Sequence, residues 1–112
     1  MLSVGKYKLD DLDERSIKMT TGFAGGVGDS RQELCGAFSA GVMIIGAMYG
    51  RTKIGADHSA CLQKTTAYRE RFKEVMGSIS CYELRAEGYG SDGIEPCSVL
   101  VERAARELLS LI

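Results

Sequence analysis

The sequence predicts an all-α fold, a compact helical bundle of about four to five helices around a central apolar helix at residues 31–49. Three observations predict it. Apolar residues recur at spacings of three and four, glycines cluster between those segments, and no segment alternates as a strand does. With 112 residues, the chain is expected to form a single helical domain over residues 1–112.

A glycine-rich stretch separates the first two predicted helices. Acidic residues suit the first turn of a helix, so the first helix is expected from about Asp10 to Thr21. Four glycines at positions 22–28 then indicate a loop, because glycine adopts backbone angles that other residues avoid. The residues at 30–33, Ser-Arg-Gln-Glu, match a capping box and predict that the second helix opens there.

The second predicted helix is apolar on every side. From Cys35 to Tyr49 the chain carries no charge over 15 residues, and Gly50 then provides a C-cap. A helix needs about 20 apolar residues to cross a bilayer. Because this segment is too short to span, it is expected to be the central core helix, and no membrane span is expected.

Three further helices are expected in the second half of the chain. One covers residues 57–76 and is broken by Gly77, a short one covers residues 78–85, and the last begins at Pro96, which suits a first helical position. The first of these has an apolar face with spacings of four, three, four and three. That face comprises Cys61, Thr65, Tyr68, Phe72 and Val75.

Composition and charge exclude several classes of partner and compartment. The chain has 14 basic and 15 acidic residues and no basic face, so no nucleic-acid partner is expected. Residues 1–13 mix lysines and aspartates without an apolar run, which excludes a secretory signal peptide there. A cytoplasmic protein is therefore expected, in which the four cysteines are reduced, catalytic or metal-bound rather than structurally bridged.

The common enzyme motifs are missing from the sequence. The glycine-rich stretch at 22–28 superficially resembles a phosphate-binding loop, but it has no P-loop lysine and no predicted strand precedes it. A structural hinge between two helices is the favoured interpretation. The sequence also contains no Cys-x-x-Cys and no Gly-x-Ser-x-Gly.

The four cysteines differ in their predicted surroundings. Cys97 follows a proline and Cys81 follows Ser78 by three residues, so both are expected in first helical turns, where the helix dipole favours a thiolate. Cys35 is expected one turn inside its helix, among small residues that allow a helix, a thiol or a cofactor to approach closely. Cys61 lies on an apolar face and is expected to be structural.

His58 is the only histidine of the chain and a weak candidate ligand. Zinc accepts three cysteines and one histidine, so His58 could complete a zinc site with three of the cysteines. The spacing matches no known zinc module. A solvated histidine near a helix N-terminus is the favoured interpretation.

Four segments in a fixed order carry a resemblance to a known family. They are residues 21–28 (TGFAGGVG), 35–43 (CGAFSAGVM) with 49–50 (YG), 71–84 (RFKEVMGSISCYEL), and 96–97 (PC). The chain resembles the redox-active protein family that has four cysteines and a Cys-Gly-Ala-x-x-Gly motif. The resemblance covers about residue 9 to the C-terminus.

The resemblance implies an all-helical fold and a redox or metal-cluster role. It maps the family cysteines onto Cys35, Cys81 and Cys97, and it assigns no family position to Cys61. The second glycine position of the motif holds Ala40, with Gly41 one place later. The first family cysteine lies on a helix upstream of the glycine-rich loop, where this chain has none, so the chain is expected to begin after that helix.

Three hypotheses of function follow. The leading one is a thiol-based redox protein in which two of Cys35, Cys81 and Cys97 cycle between dithiol and disulfide, with Cys97 or Cys81 attacking and Cys35 resolving. The second is a metal or iron–sulfur site on the same cysteines. The third is a non-catalytic helical oligomerisation or adaptor domain. A homo-oligomer is expected, because the central helix lacks part of its cover.

Overall fold

The computed structural model describes residues 2–90 and 95–112. These residues form six α-helices and one short 3-10 helix, and no strand occurs among them. The helices are α1 (Leu2–Lys8), α2 (Glu14–Met19), the 3-10 helix (Thr21–Phe23), α3 (Gly36–Tyr49), α4 (Ser59–Met76), α5 (Cys81–Ala86) and α6 (Cys97–Leu111). The prediction of an all-α fold is confirmed. No helix among these residues is long and apolar enough to cross a membrane.

The three long helices α3, α4 and α6 form the body of the molecule. Phe38 near the start of α3 meets Phe72 near the end of α4, with ring centroids 5.4 Å apart. At the other end of the bundle, Lys64 Nζ lies 5.6 Å from the ring centroid of Tyr49 and donates a 2.7 Å hydrogen bond to the carbonyl of Leu111. Helix α4 is therefore antiparallel to both α3 and α6. The first residues of α3 and α6 consequently lie at one end of the bundle, beside the last residues of α4.

Aromatic rings fill the centre of the core. Tyr68 and Phe72 are fully buried on α4, and both pack against Phe38 of α3. Tyr68 needs Gly41 opposite its ring, because a Cβ atom there would lie 2.5 Å from Tyr68 Cε2. The other fully buried large side chains are Ile45 of α3 and Leu108 of α6.

The N-terminal part of the chain differs from the sequence prediction. Helix α1 was not expected. Helix α2 begins at Glu14 instead of about Asp10, because the carboxylate of Asp13 caps it by accepting a 2.8 Å hydrogen bond from the amide of Ser16. Helix α1 has only seven residues and little helical periodicity, and it depends on packing. Its Val4 is buried in the core, and its Gly5 lies against Ile44 of α3.

The predicted capping box at residues 30–33 is wrong, and α3 begins at Gly36. The Ser30 hydroxyl donates a hydrogen bond to the carbonyl of Gly26 and accepts one from the amide of Gln32, so it closes a loop. Arg31 has a φ of +62°, which no right-handed helix allows. Cys35 therefore occupies the N-cap of α3 and does not lie one turn inside a helix.

The later helix boundaries agree with the prediction to within a few residues. Gly77 ends α4 with a φ of +97°, the left-handed cap that favours glycine. Helix α5 is capped by the hydroxyl of Ser80 instead of Ser78. Pro96 is the N-cap of α6 and Cys97 is its first residue.

Candidate functional site

The glycine-rich stretch forms a left-handed loop. Residues 25–29 are consecutive and have φ angles between +56° and +70°, which is unusual for Val27 because its side chain is β-branched. The amides of residues 27–31 all donate hydrogen bonds to carbonyls of residues 22–27. Since these amides are already bonded within the loop, they do not form an anion cradle, and the loop is structural.

A short antiparallel contact joins the segment before α3 to the segment before α5. Leu34 and Ser80 form an isolated β-bridge. The amide of Cys35 donates to the carbonyl of Ile79 at 2.7 Å, and the amide of Cys81 donates to the carbonyl of Glu33 at 2.8 Å. Two cysteines that are 46 positions apart in the sequence therefore follow the two sides of one bridge.

The bridge gives Cys35 and Cys81 a defined relationship. Each follows the bridged residue of its own segment, so they occupy diagonal positions on the same face of the pair. The Cα atoms of such diagonal neighbours lie about 7–8 Å apart. A disulfide needs a Cα separation of at most about 7 Å, so closing one here requires the two segments to approach each other.

Gly26 of the left-handed loop lies directly against Cys81. A Cβ atom at Gly26 would lie 2.6 Å from Cβ and 3.2 Å from Sγ of Cys81. Only glycine fits this contact, and the φ of +70° also favours glycine. The loop thus forms one wall beside the Cys81 thiol.

Three cysteines stand at helix starts at the same end of the bundle. Cys35 is the N-cap of α3, Cys81 is the first residue of α5, and Cys97 is the first residue of α6. The predicted first-turn positions of Cys81 and Cys97 are confirmed.

Burial weakens Cys35 as an acid. Desolvation raises the pKa of the Cys35 thiol, and the amides of Phe38 and Ala37 at the start of α3 partly oppose that rise. The Cys35 side chain does not accept a capping hydrogen bond at the start of α3. The charges of Cys81 and Cys97 raise the pKa of Cys35 slightly further, so all three thiols lie within electrostatic reach of one another.

The three thiols differ in access. Cys97 is exposed, whereas Cys35 and Cys81 are half-buried, and all are free thiols. The small residues after Cys35 leave no open space beside it for a cofactor at Gly36, because a Cβ atom there would lie 2.9 Å from the carbonyl oxygen of Phe23. The backbone of Phe23 and Ala24 fills the space that the small residues leave beside α3.

Cys61 and His58 lie at the opposite end of the bundle. Helix α4 has 18 residues and rises about 1.5 Å per residue, so its first turn is roughly 25 Å from its C-terminal end. His58 is its N-cap, and Cys61 is in its first turn, half-buried against the core. Neither residue is near the three thiols.

The residues described do not fit a metal site. Over residues 2–90 and 95–112, no group of three or more histidine, cysteine, aspartate or glutamate side chains is arranged to hold a metal ion. Two of the three thiols are half-buried on separate backbone segments, and the only histidine lies at the far end of α4.

Two residues beside this site were not predicted from the sequence. Gly26 belongs to the predicted glycine loop, but its contact with a thiol 55 positions later leaves no local signal. Tyr68 was identified only as part of an apolar face. Its buried hydroxyl donates a 3.4 Å hydrogen bond to the carbonyl of Ala37, and burial together with the Cys35 charge raises the pKa of Tyr68.

Comparison with known proteins places the chain in a family. A family model described as "Putative redox-active protein (C_GCAxxG_C_C)" matches residues 1–111. No curated protein and no solved structure matches the chain. The family match reaches residue 1, so it includes α1 and α2 and extends beyond the four segments that carried the resemblance. The chain belongs to the C_GCAxxG_C_C family of redox-active proteins.

Proposed function

We propose that this chain is a thiol-based redox protein in which Cys35 and Cys81 cycle between a dithiol and a disulfide. The observation that supports this proposal best is the bridge between Leu34 and Ser80, which holds both cysteines beside each other through paired backbone hydrogen bonds. A redox role agrees with the family to which the chain belongs.

The electron balance of the proposed reaction involves a partner disulfide. The Cys81 thiolate attacks one partner sulfur, the partner S–S bond breaks, and a mixed disulfide forms as one partner thiolate leaves. The Cys35 thiolate then attacks the Cys81 sulfur, forms the Cys35–Cys81 disulfide and releases the second partner thiolate. The partner gains two electrons, and the two cysteines lose two electrons and two protons.

The assignment of roles follows the local environments. Cys81 attacks because it is the first residue of a helix, whereas burial raises the pKa of Cys35 and favours its protonated form. Cys97 is an alternative attacking thiol, since it also begins a helix and is exposed. The bridge favours Cys81, because paired backbone hydrogen bonds join its segment to that of Cys35, whereas Glu95 before Cys97 bonds to Gly88 and Gly90.

Thiol counting tests the proposal. The fully reduced protein is treated with a mild disulfide oxidant, and free thiols are titrated before and after under native and denaturing conditions. We expect the wild-type protein to lose two thiols, Cys35→Ser to lose one because the mixed disulfide on Cys81 is left unresolved, and Cys81→Ser to lose none. Cys97→Ser keeps the loss of two, and peptide mapping of the oxidised wild-type protein identifies the Cys35–Cys81 link.

Cys61→Ala is the matched control for this experiment. It removes a half-buried cysteine that packs against the core at the far end of α4, so it lowers stability slightly but leaves reversible oxidation intact. A wild-type protein that keeps all four thiols reduced, or a Cys81→Ser variant that still loses two, contradicts the proposal. Homo-oligomerisation and a cytoplasmic location stay predictions, checked by light scattering and by cell fractionation.

A further inference from the structure

A cavity of about 400 Å³ lies between α1, α2 and α3, away from the cysteine site. Its floor is a face of α3 with spacings of three, one and three, formed by Ala40, Met43, Ile44 and Ala47. This face is distinct from the face with Gly41 and Ile45, which packs against the rest of the bundle. Small-molecule sites span about 300–1,000 Å³, so the cavity has the size of a ligand site.

The cavity remains open because small residues keep the surrounding helices from filling it. Helix α1 approaches α3 at Gly5, where a Cβ atom would lie 3.2 Å from Leu12 and 3.8 Å from Ile44. The short side chains of Ala40 and Ala47 leave the space above this face of α3 unfilled. The walls are mainly apolar, with Leu9, Leu12 and Ile17 facing the floor.

One carboxylate stands in this apolar lining. Asp11 is the only charged residue that lines the cavity, and it makes no ion pair with any other residue among those described. The hydroxyls of Ser16 and Thr20 lie in the same wall. The Thr20 hydroxyl donates to the carbonyl of Ile17 at 2.7 Å, so its free lone pairs can only accept a hydrogen bond.

We propose that this cavity binds a small amphiphile with an apolar body and a single cationic amine, and that the amine pairs with Asp11. The apolar floor takes up the body, since burial of apolar surface is favourable. An ammonium group carries three donors and no acceptor, which matches a carboxylate and acceptor hydroxyls. An anionic amphiphile is disfavoured because its charge meets that of Asp11.

Three eight-carbon probes that differ only in the head group test the proposal. Octylamine, 1-octanol and octanoate are titrated separately into the ¹⁵N-labelled full chain at neutral pH, below the concentration at which each aggregates. We expect octylamine to bind most tightly and octanoate least tightly. Amide shifts concentrate on α1, α2 and the cavity face of α3. Equal affinity for all three probes, or shifts spread over the whole surface, overturns the proposal.

Matched variants separate the charge from the cavity. Asp11→Asn removes the preference for the amine over the alcohol, a change of up to about fivefold because the carboxylate is exposed to solvent. Asp10→Asn removes a neighbouring carboxylate outside the cavity lining and leaves the preference unchanged. An Asp11→Asn protein that retains the full preference contradicts the proposed pairing.

Filling the cavity gives the second test. Ala40→Phe blocks the floor and abolishes binding of both octylamine and octanol, and Ala47→Phe does the same from the exposed end of the face if Ala40→Phe fails to fold. Sedimentation equilibrium is run on the wild-type protein. A dimer that dissociates in Ala47→Phe and excludes octylamine shows that a second copy covers the cavity, which overturns the proposal. All of these outcomes are independent of the thiol titration.

Discussion

Gly26 shows how a single residue positions the candidate site. It combines a left-handed backbone with direct contact to the Cys81 side chain. A larger residue at this position would lose stability for each of these two reasons separately. Gly28 has nearly the same φ, but a Cβ atom there would meet nothing within 4 Å. The two glycines therefore separate the effect of backbone conformation from the effect of the contact.

Substitution of these two glycines by alanine should give unequal losses of stability. Gly28→Ala introduces only a left-handed alanine, which costs about 1 kcal/mol. Gly26→Ala adds a clash with Cys81 and should cost about 2–4 kcal/mol. Denaturant unfolding of the reduced proteins measures both. Gly22→Ala is the control, because Gly22 has no positive φ and no close neighbour, and equal losses for Gly26 and Gly28 would show that the contact with Cys81 is unimportant.

At the scale of elements, α3 has three functions on three parts of its surface. Its N-cap presents Cys35, one face packs on α4 and α6, and a second face forms the floor of the cavity. The position of glycine in the motif explains this division. Gly41, one place beyond the family glycine position, faces Tyr68, whereas Ala40 faces the cavity.

Two glycines of α3 should respond in opposite directions to alanine. Gly41→Ala places a Cβ atom 2.5 Å from the buried ring of Tyr68 and should destabilise the protein by about 1–3 kcal/mol. Gly46→Ala has open space and should stabilise it by about 0.5–1 kcal/mol, because alanine favours the helix. Denaturant midpoints with unchanged slopes check this difference. A neutral Gly41→Ala would mean that α3 and α4 are not packed as closely as described.

At the scale of the whole molecule, the core and the candidate site share two buried acids. Cys35 and Tyr68 lie near each other at the start of α3, and burial is the main cause that raises the pKa of each. Each group therefore binds its proton more tightly in the folded state than in the unfolded state. The stability that they contribute is fully present below their unfolded pKa values and is lost as the pH rises above them.

This linkage predicts a loss of stability at alkaline pH. The free energy of unfolding should fall as the pH rises above about 8.5, the ordinary pKa of cysteine, and fall more steeply above about 10, the ordinary pKa of tyrosine. Cys35→Ser should remove the first decline and Tyr68→Phe the second, as measured by denaturant unfolding of reduced protein between pH 7 and 11. Tyr49→Phe is the control. An unchanged pH profile in Tyr68→Phe would contradict the burial of its hydroxyl.

The sequence by itself determined the helical class, the central apolar helix and the cysteines that define the family. Each of these depends on spacing within one segment or on a motif of adjacent residues. The prediction that Cys81 and Cys97 lie in first helical turns depended on nearby Ser78 and Pro96, so it was also local, although Ser80 is the residue that caps α5. The sequence also distinguished Cys61 from the other three cysteines, because Cys61 lies on the apolar face of its helix.

Only the tertiary structure decided where α3 begins and which cysteine-bearing segments pair. The hydrogen bond from Cys35 to Ile79 and the contact of Gly26 with Cys81 join residues more than 40 positions apart. These contacts prevailed over the capping-box pattern at residues 30–33, because the left-handed loop satisfies its own amides and leaves the segment extended. Helix α1 likewise depends on burial of Val4 in a core made by distant helices, which no local pattern encodes.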